Sequence, residues 1–237
     1  MVHCAVILAG GLGTRLRSVV SDRPKVMAMV AGRPFLTLLL DQLAESGIRR
    51  AVLCTGYMAD MIRNELGDEY RDIELIYSVE DTPLGTGGAL RYAAEQLSGN
   101  MLLVLNGDSY CRCNLSVFIS GQAASGAYAG MALARVENVA RFGAVLTDKA
   151  SLVESFVEKG GRTGPGWINA GIYLLPLDLV QTISPNRPVS LEREVFPELM
   201  TRGLFGYHCP GSFIDIGVPE EYQRSQMLFP EQTKGNS

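Results

Sequence analysis

The sequence predicts a single-domain α/β fold built on a mixed, mainly parallel sheet. Three observations carry this. Short apolar runs alternate with segments of helical periodicity through the first half, and such a β-α-β-α rhythm implies parallel strands covered by helices. Four strand-like runs with short connections follow in the second half. No low-complexity linker or internal repeat separates the halves. Taken in order, residues 4–9 form a buried strand that enters a Gly-rich loop. Residues 34–46 form a helix stopped by Gly47, and 51–55 a second strand. Residues 57–66 are amphipathic, with Met58, Met61, Ile62 and Leu66 at helical spacing and Gly67 as the stop. A strand at 73–77, a helix at 89–97 and a strand at 101–105 continue the alternation, and Asn114 caps a helix that runs to Ala124. Residues 128–135, 144–147, 152–156 and 167–174 are the four later strands, followed by helices at 177–183 and 191–200. Short strands at 204–209 and 213–216 precede Pro219-Glu220-Glu221. That tripeptide opens a last helix with proline in the first turn and acids at the positive end of the dipole. Residues 230–237 are polar and read as a frayed end.

A chain of 237 residues, 47% hydrophobic and 19% charged, is long enough to bury its own core and too apolar to be disordered. The net charge of −4 and the lack of a Lys/Arg-rich run exclude a nucleic-acid footprint, while a small phosphorylated ligand needs only a few local cations. No apolar run approaches the ~18 residues of a spanning helix, and no charged leader with a cleavage site opens the chain. A membrane partner is therefore not expected. Cys4, Cys54, Cys111, Cys113 and Cys209 are odd in number and scattered, as for reduced thiols in the cytoplasm. Cys111 and Cys113 form a C-x-C pair, but no second Cys pair follows and the chain has two His. They read as buried or surface thiols rather than a metal site.

The first strand runs into Leu8-Ala9-Gly10-Gly11-Leu12-Gly13-Thr14-Arg15-Leu16. Three glycines in four positions let backbone approach a ligand or take positive φ, and consecutive exposed N–H groups make an anion nest. A dinucleotide fingerprint fails, because Leu16 stands where glycine is required. A Walker loop fails at Pro24, ahead of Lys25. An ordinary Gly-rich turn accounts for Gly-Gly-x-Gly equally well. The continuation into Arg15 and then Arg23-Pro24-Lys25 favours a polyphosphate site, with a forked guanidinium and a point charge beside the nest.

These two segments together resemble the sugar-1-phosphate nucleotidylyltransferases. The resemblance returns at Pro83-Leu84-Gly85-Thr86-Gly87-Gly88-Ala89-Leu90, at Asn106-Gly107-Asp108, at Phe156-Val157-Glu158-Lys159, at Trp167 to Tyr173 and at Phe213 to Tyr222. It implies a Rossmann-like nucleotidyltransferase fold, with a catalytic domain over residues 1–226 and a flexible tail at 227–237. It also implies joining a nucleoside triphosphate to a sugar 1-phosphate with loss of pyrophosphate. The nucleophile of that reaction is already an anion, so positioning and charge neutralisation suffice. This fits a chain whose His3 and His208 stand in no catalytic motif.

The resemblance implies a role for each segment. Lys25 would face the reacting phosphates and Arg15 the departing pyrophosphate. Leu8, Ala9, Gly10, Gly11, Gly13 and Thr14 would hold the triphosphate nucleotide, with Glu80, Gly85 and Thr86 around the base. Asp108 and Asp215 would bind Mg²⁺, a cation suited to a few carboxylates plus phosphate and water. Lys159 would grip the sugar phosphate, Glu158 and Asn169 its hydroxyls, and Gly143 and Gly171 would allow close approach of backbone. As bare residues, Asp108 and Asp215 fit turn formers or helix caps as well, and Glu158 and Lys159 a surface ion pair. Gly160-Gly161 makes their loop suited to a lid.

A nucleotide-sugar glycosyltransferase would show D-x-D where Gly107-Asp108-Ser109-Tyr110 stands. A non-catalytic relative would have lost Lys25, Asp108 or Asp215. The loop at 83–89 most resembles the D-glycero-α-D-manno-heptose 1-phosphate guanylyltransferases and their mannose 1-phosphate relatives. Uridylyl or thymidylyl transfer to a hexose 1-phosphate is the alternative. Glu80 favours GTP, because a carboxylate accepts from both N1–H and the exocyclic amine of guanine and has nothing to donate to a pyrimidine O4. The oligomeric state stays open, a homo-oligomer included.

Overall fold

A computed structural model of the chain describes Val2 and residues 4–229. His3 and the expected frayed end at 230–237 lie outside the described residues. β1 (Ala5–Leu8), a 3-10 turn (Lys25–Met27) and the hairpin of β2 (Met29–Val30) and β3 (Arg33–Pro34) come first. Then come α1 (Phe35–Glu45), β4 (Arg50–Thr55), α2 (Ala59–Leu66), β5 (Glu69–Tyr70), β6 (Ile73–Val79) and α3 (Gly85–Tyr92). The middle holds β7 (Met101–Asn106), β8 (Ser109–Cys111), α4 (Leu115–Ser125) and β9 (Ala129–Val136). β10 (Ala144–Thr147), β11 (Val153–Val157) and β12 (Gly166–Pro176) follow. The chain closes with α5 (Leu177–Thr182), α6 (Phe196–Arg202), β13 (Leu204–Cys209), β14 (Phe213–Asp215) and α7 (Pro219–Leu228).

Eight strands form one sheet in the order β13-β9-β12-β7-β1-β4-β6-β5. β7, β1, β4 and β6 run parallel. β12 is antiparallel to both β7 and β9, and β13 is parallel to β9. The sheet is mixed, as the sequence predicts. β1 alternates between the two faces. Ala5 and Ile7 enter one core with Leu36, Leu39 and Leu43 of α1, while Cys4 and Val6 enter the other with Leu90 of α3 and Leu179 of α5. A strand buried on both faces has no polar side to show, which is why the run from Cys4 to Ile7 is uniformly apolar.

The structure moves several boundaries. Gly85 to Gly88, expected as a loop before a helix at 89–97, form the first turn of α3, which ends at Tyr92 and is followed by a 3-10 turn. The expected helix at 191–200 is a π-helical turn, Leu191–Val195, running into α6. The helix at 57–66 begins at Ala59, because Met58 takes a left-handed conformation. β8 and β14 pair antiparallel and place Asp215 opposite Ser109, a ribbon with too few residues to show periodicity. α7 clamps the β2–β3 hairpin: the Tyr222 hydroxyl and the Gln226 amide both donate to Met29 carbonyl. α7 extends through Leu228, so the first residues of the expected tail at 227–237 are helical.

Candidate active site

Open parallel sheets bind ligands beyond the carboxyl ends of their strands. Here Leu8, the last residue of β1, pairs with Asn106, the last of β7. A cavity of about 420 Å³ opens beside them. Its wall includes Leu8, Ala9, Gly10, Gly11, Gly13, Thr14, Arg15, Lys25, Glu80, Gly85, Thr86 and Asp108. Every nucleotide-side residue singled out in the sequence therefore meets in one place.

The glycines of this wall have steric reasons. A Cβ on Gly10 would sit 2.7 Å from Glu80 Oε1, so the Glu80 side chain lies directly across the loop backbone. Gly13 has φ +60 and packs against the stem of Lys25, its virtual Cβ 3.0 Å from Lys25 Cβ. Gly85, Gly87 and Gly88 answer to a different neighbour. Virtual Cβ atoms there fall 2.7, 2.9 and 2.8 Å from atoms of Val189 or Arg187, and Val189 carbonyl accepts from the N–H groups of Gly87 and Gly88. These glycines admit the 187–189 segment against α3, while Gly85 and Thr86 still face the cavity.

Glu80 lies on the cavity wall rather than in solvent. Its Oε2 accepts from Leu84 N–H at 3.2 Å, and burial pushes its carboxyl above the ordinary range. The Lys25 ammonium lies 2.5 Å from Asp108 Oδ2. Pro24 leads into the turn that carries Lys25, and the next two side chains, Val26 and Met27, are buried, which anchors the base of the lysine. Arg15 is exposed on the wall.

Asp108 and Asp215 are far apart in sequence and close in space. Ile216 N–H donates to Asp108 carbonyl at 3.0 Å, and the β8–β14 ribbon sets the register. Asp215 Oδ1 accepts from Gly217 N–H at 2.7 Å, while Oδ2 faces Arg141 at 3.6 Å. Burial, and then the charge of Asp108, raise the Asp215 carboxyl above its ordinary value. Among the described residues no three His, Cys, Asp or Glu converge on one point. Asp108 lines the cavity, and Asp215 lies behind it, two residues before the lining Gly217; two carboxylates so placed suit a hard divalent cation that completes its shell with water and ligand phosphates.

The residues expected on the acceptor side split. β12 breaks register with β9 between Asn169 and Tyr173, and this bulge carries Asn169 and Gly171 against the end of β7. A Cβ on Gly171 would fall 2.5 Å from Ser109 Oγ and 3.0 Å from Asn106 Cβ. Asn169 donates to the Tyr173 hydroxyl and accepts from Gly171 N–H, so part of its amide capacity is spent within the strand. Gly143 takes φ +82 where a Cβ would sit 2.6 Å from Val157 carbonyl, and Gly160 N–H reaches Ala140 carbonyl. This locks the 140–143 turn to the Glu158–Lys159 loop. Glu158 and Lys159 are exposed. Among the described residues neither forms a side-chain hydrogen bond or ion pair, so the surface pair open to bare residues is not made.

Sequence reasoning missed three residues. Glu192 lines the cavity and accepts from the hydroxyls of Thr86 and Ser190. Asn106 also lines it, with Oδ1 buried and without a hydrogen-bond partner among the described residues. Arg141 bridges Asp215 and Glu221. Asn106 had a signal, standing two residues before Asp108 in the same strand-end motif. Glu192 and Arg141 sit in ordinary charged helical turns. His208 is structural: it meets the Trp167 ring edge-on, with centroids 4.5 Å apart, contacts Thr147 Oγ1, and burial lowers its pKa. All five cysteines are free and buried.

A Gly-rich anion loop, two cations and a carboxylate pair at the mouth of a doubly covered sheet define a phosphate-transferring nucleotide protein. The chain belongs to the nucleotidyl transferase family, whose family model matches residues 4–232. It is 35% identical over 223 residues to a D-glycero-α-D-manno-heptose 1-phosphate guanylyltransferase of Aneurinibacillus thermoaerophilus, covering 94% of this chain and 96% of the relative. It is 37% identical to a mannose-1-phosphate guanylyltransferase of Mycobacterium tuberculosis over 93% of this chain, and spans 62% of that longer protein. Among solved structures, HddC from Yersinia pseudotuberculosis complexed with GMP-PN aligns at 36% identity and TM-score 0.85, covering 96% of this chain and 99% of that one. A putative glucose-1-phosphate thymidylyltransferase from Bacillus anthracis shares the fold at TM-score 0.83 and 21% identity. No helix among the described residues is long and apolar enough to cross a membrane.

Proposed function

We propose that the chain transfers GMP from GTP to D-glycero-α-D-manno-heptose 1-phosphate, releasing pyrophosphate and giving a nucleotide-activated sugar. The observation that carries the base is Glu80, whose carboxylate lies on the cavity wall over Gly10 and can accept from both N1–H and the amine of guanine. The acceptor rests on near full-length similarity to heptose guanylyltransferases of Aneurinibacillus and Campylobacter jejuni. Mannose 1-phosphate is the second reading, supported by the 37% identical Mycobacterium relative.

A phosphate oxygen of the sugar 1-phosphate attacks the α-phosphorus in line, and the bond to the bridging oxygen of pyrophosphate breaks. The attacking oxygen carries charge already, so no base is needed. The loop N–H groups from Gly10 to Thr14 and the Arg15 guanidinium hold the leaving phosphates, and Lys25 faces the phosphorus as charge redistributes. Lys159 holds the acceptor phosphate, and Glu158 and Asn169 orient sugar hydroxyls. Asp108 and Asp215 would hold Mg²⁺, whose charge would neutralise the phosphates. Five free thiols and the nucleotide substrate support a cytoplasmic setting. The test is a matrix of GTP, ATP, UTP and dTTP against heptose, mannose and glucose 1-phosphates, read by pyrophosphate release with Mg²⁺. Turnover confined to UTP with glucose 1-phosphate would overturn the substrate assignment and leave the reaction class intact.

A further inference from the structure

Lys25 occupies a position that its part in the reaction does not by itself require. Its side chain is 10% exposed and its ammonium sits 2.5 Å from Asp108 Oδ2. The same ammonium borders Asp215. A Cβ on Gly217 would fall 2.7 Å from Asp215 Oδ1 and 3.2 Å from Lys25 Nζ, so Gly217 opens the space in which the two approach. Gly13 of the anion loop packs against the lysine's stem on the other side. Lys25 thus stands between the carboxylate pair and the phosphate cradle, and the cavity borders both Lys25 and Asp108.

One ammonium cannot serve both partners at full strength. Against Asp108 it neutralises the carboxylate that a divalent cation would use. Against a triphosphate it leaves that carboxylate bare. We propose that Lys25 acts as a resident counter-ion that keeps a bare divalent cation off the carboxylate pair until a triphosphate draws the ammonium away, so that metal and nucleotide bind cooperatively. This rests on the reading of Asp108 and Asp215 as the metal-holding pair. The exchange makes and breaks ionic contacts only, and the triphosphate supplies the replacement anion. Linkage makes the effect reciprocal: whatever factor the nucleotide adds to metal affinity, the metal adds to nucleotide affinity.

Direct binding of Mn²⁺ tests this without turnover, by following the signal of the free aquo ion in electron paramagnetic resonance. In nucleotide-free protein, Lys25→Met binds Mn²⁺ about tenfold tighter than wild type or more, because a competing charge a few ångströms away is removed. Lys25→Gln does the same should the methionine variant fail to fold, and Lys25→Arg, which keeps the charge, stays near wild type. Adding a non-hydrolysable GTP analogue tightens Mn²⁺ binding to wild type and narrows its gap to Lys25→Met. Asp108→Asn and Asp215→Asn control the underlying reading. If they lose Mn²⁺ binding while Lys25→Met binds no tighter than wild type, the counter-ion role is wrong and the metal site stands. If they bind Mn²⁺ as wild type does, the metal assignment falls and the proposal with it.

Discussion

The two halves of the cleft are built differently. On the nucleotide side, side chains are fixed by near neighbours: Glu80 lies across Gly10, Lys25 is paired with Asp108, and Thr86 is held by Leu191 N–H and Glu192. On the acceptor side, Glu158 and Lys159 are exposed on a loop between β11 and β12, and only the loop's backbone is tied down, through Gly143 and Gly160. The lesson is one of preorganisation. In the half proposed to stabilise charge, side chains have partners before ligand arrives, Lys25 resting on the carboxylate it would leave for a triphosphate. The half proposed to capture the acceptor keeps its side chains exposed and free to close on it. Substitutions in the first should act mainly on turnover, and those in the second mainly on acceptor affinity.

The largest expected effect tests the first half at its charge centre. Asp108→Asn and Asp215→Asn should each lower kcat by about two orders of magnitude or more with the circular dichroism spectrum unchanged, since each removes a full charge from the pair proposed to hold the metal. EDTA should abolish activity in the wild type, and near-normal turnover in EDTA would break the comparison at its root. Asp215 adds a pH signature. Because its carboxyl is raised by burial and by Asp108, its charged form is disfavoured in the folded, metal-free protein. The same raised value means that folding stability falls as pH rises through it, so metal-free Asp215→Asn should have the higher Tm at pH 7 despite its lowered kcat.

Next in size is Lys25→Met, expected to lower kcat by about 10²–10³ with a smaller change in KM for GTP, because its charge matters most as negative charge redistributes. A raised KM at constant kcat would make the nucleotide half merely a binding surface. Lys159→Ala should behave in the opposite way. We expect KM for the sugar 1-phosphate to rise by about tenfold, the worth of one charge-assisted contact, with KM for GTP little changed. Equal effects on the two substrates would erase the distinction between the halves.

The smallest effect sharpens the base assignment. Glu80→Gln should reduce the preference for GTP over UTP by about tenfold, because an amide both donates and accepts. Burial raises the Glu80 carboxyl, so its ionised form costs folding stability above the unfolded value. The amide should therefore melt higher at pH 7 even as it loses discrimination. Steady-state competition between the two triphosphates and a thermal melt decide both points.

Much of this was legible before any tertiary structure. The parallel strands read correctly because a strand buried on both faces must be uniformly apolar, and the residues from Cys4 to Ile7 and from Leu102 to Leu105 are. Gly10, Gly11, Gly13 and Lys25 were legible because their chemistry is local: loop backbone and a cation a few residues on. The loop at Gly85 to Gly88 is expected from family resemblance, and glycine does disfavour helices. The structure places them in the first turn of α3, where the approach of Val189 and Arg187, a hundred residues downstream, outweighs propensity.

By itself, then, the sequence determined the sheet's buried strands and the Gly-rich loop after β1, and its family resemblance singled out two acids and two cations as candidates. Tertiary structure alone decided what each charge faces. Pairing Asp215 with Ser109 across a three-residue ribbon, turning Lys25 onto Asp108, and bringing Glu192 to Thr86 all depend on packing between distant segments. The physical reason is range. Helical and strand periodicity is encoded within a few residues, whereas the field at a carboxylate is set by whichever chain the fold packs within a few ångströms of it.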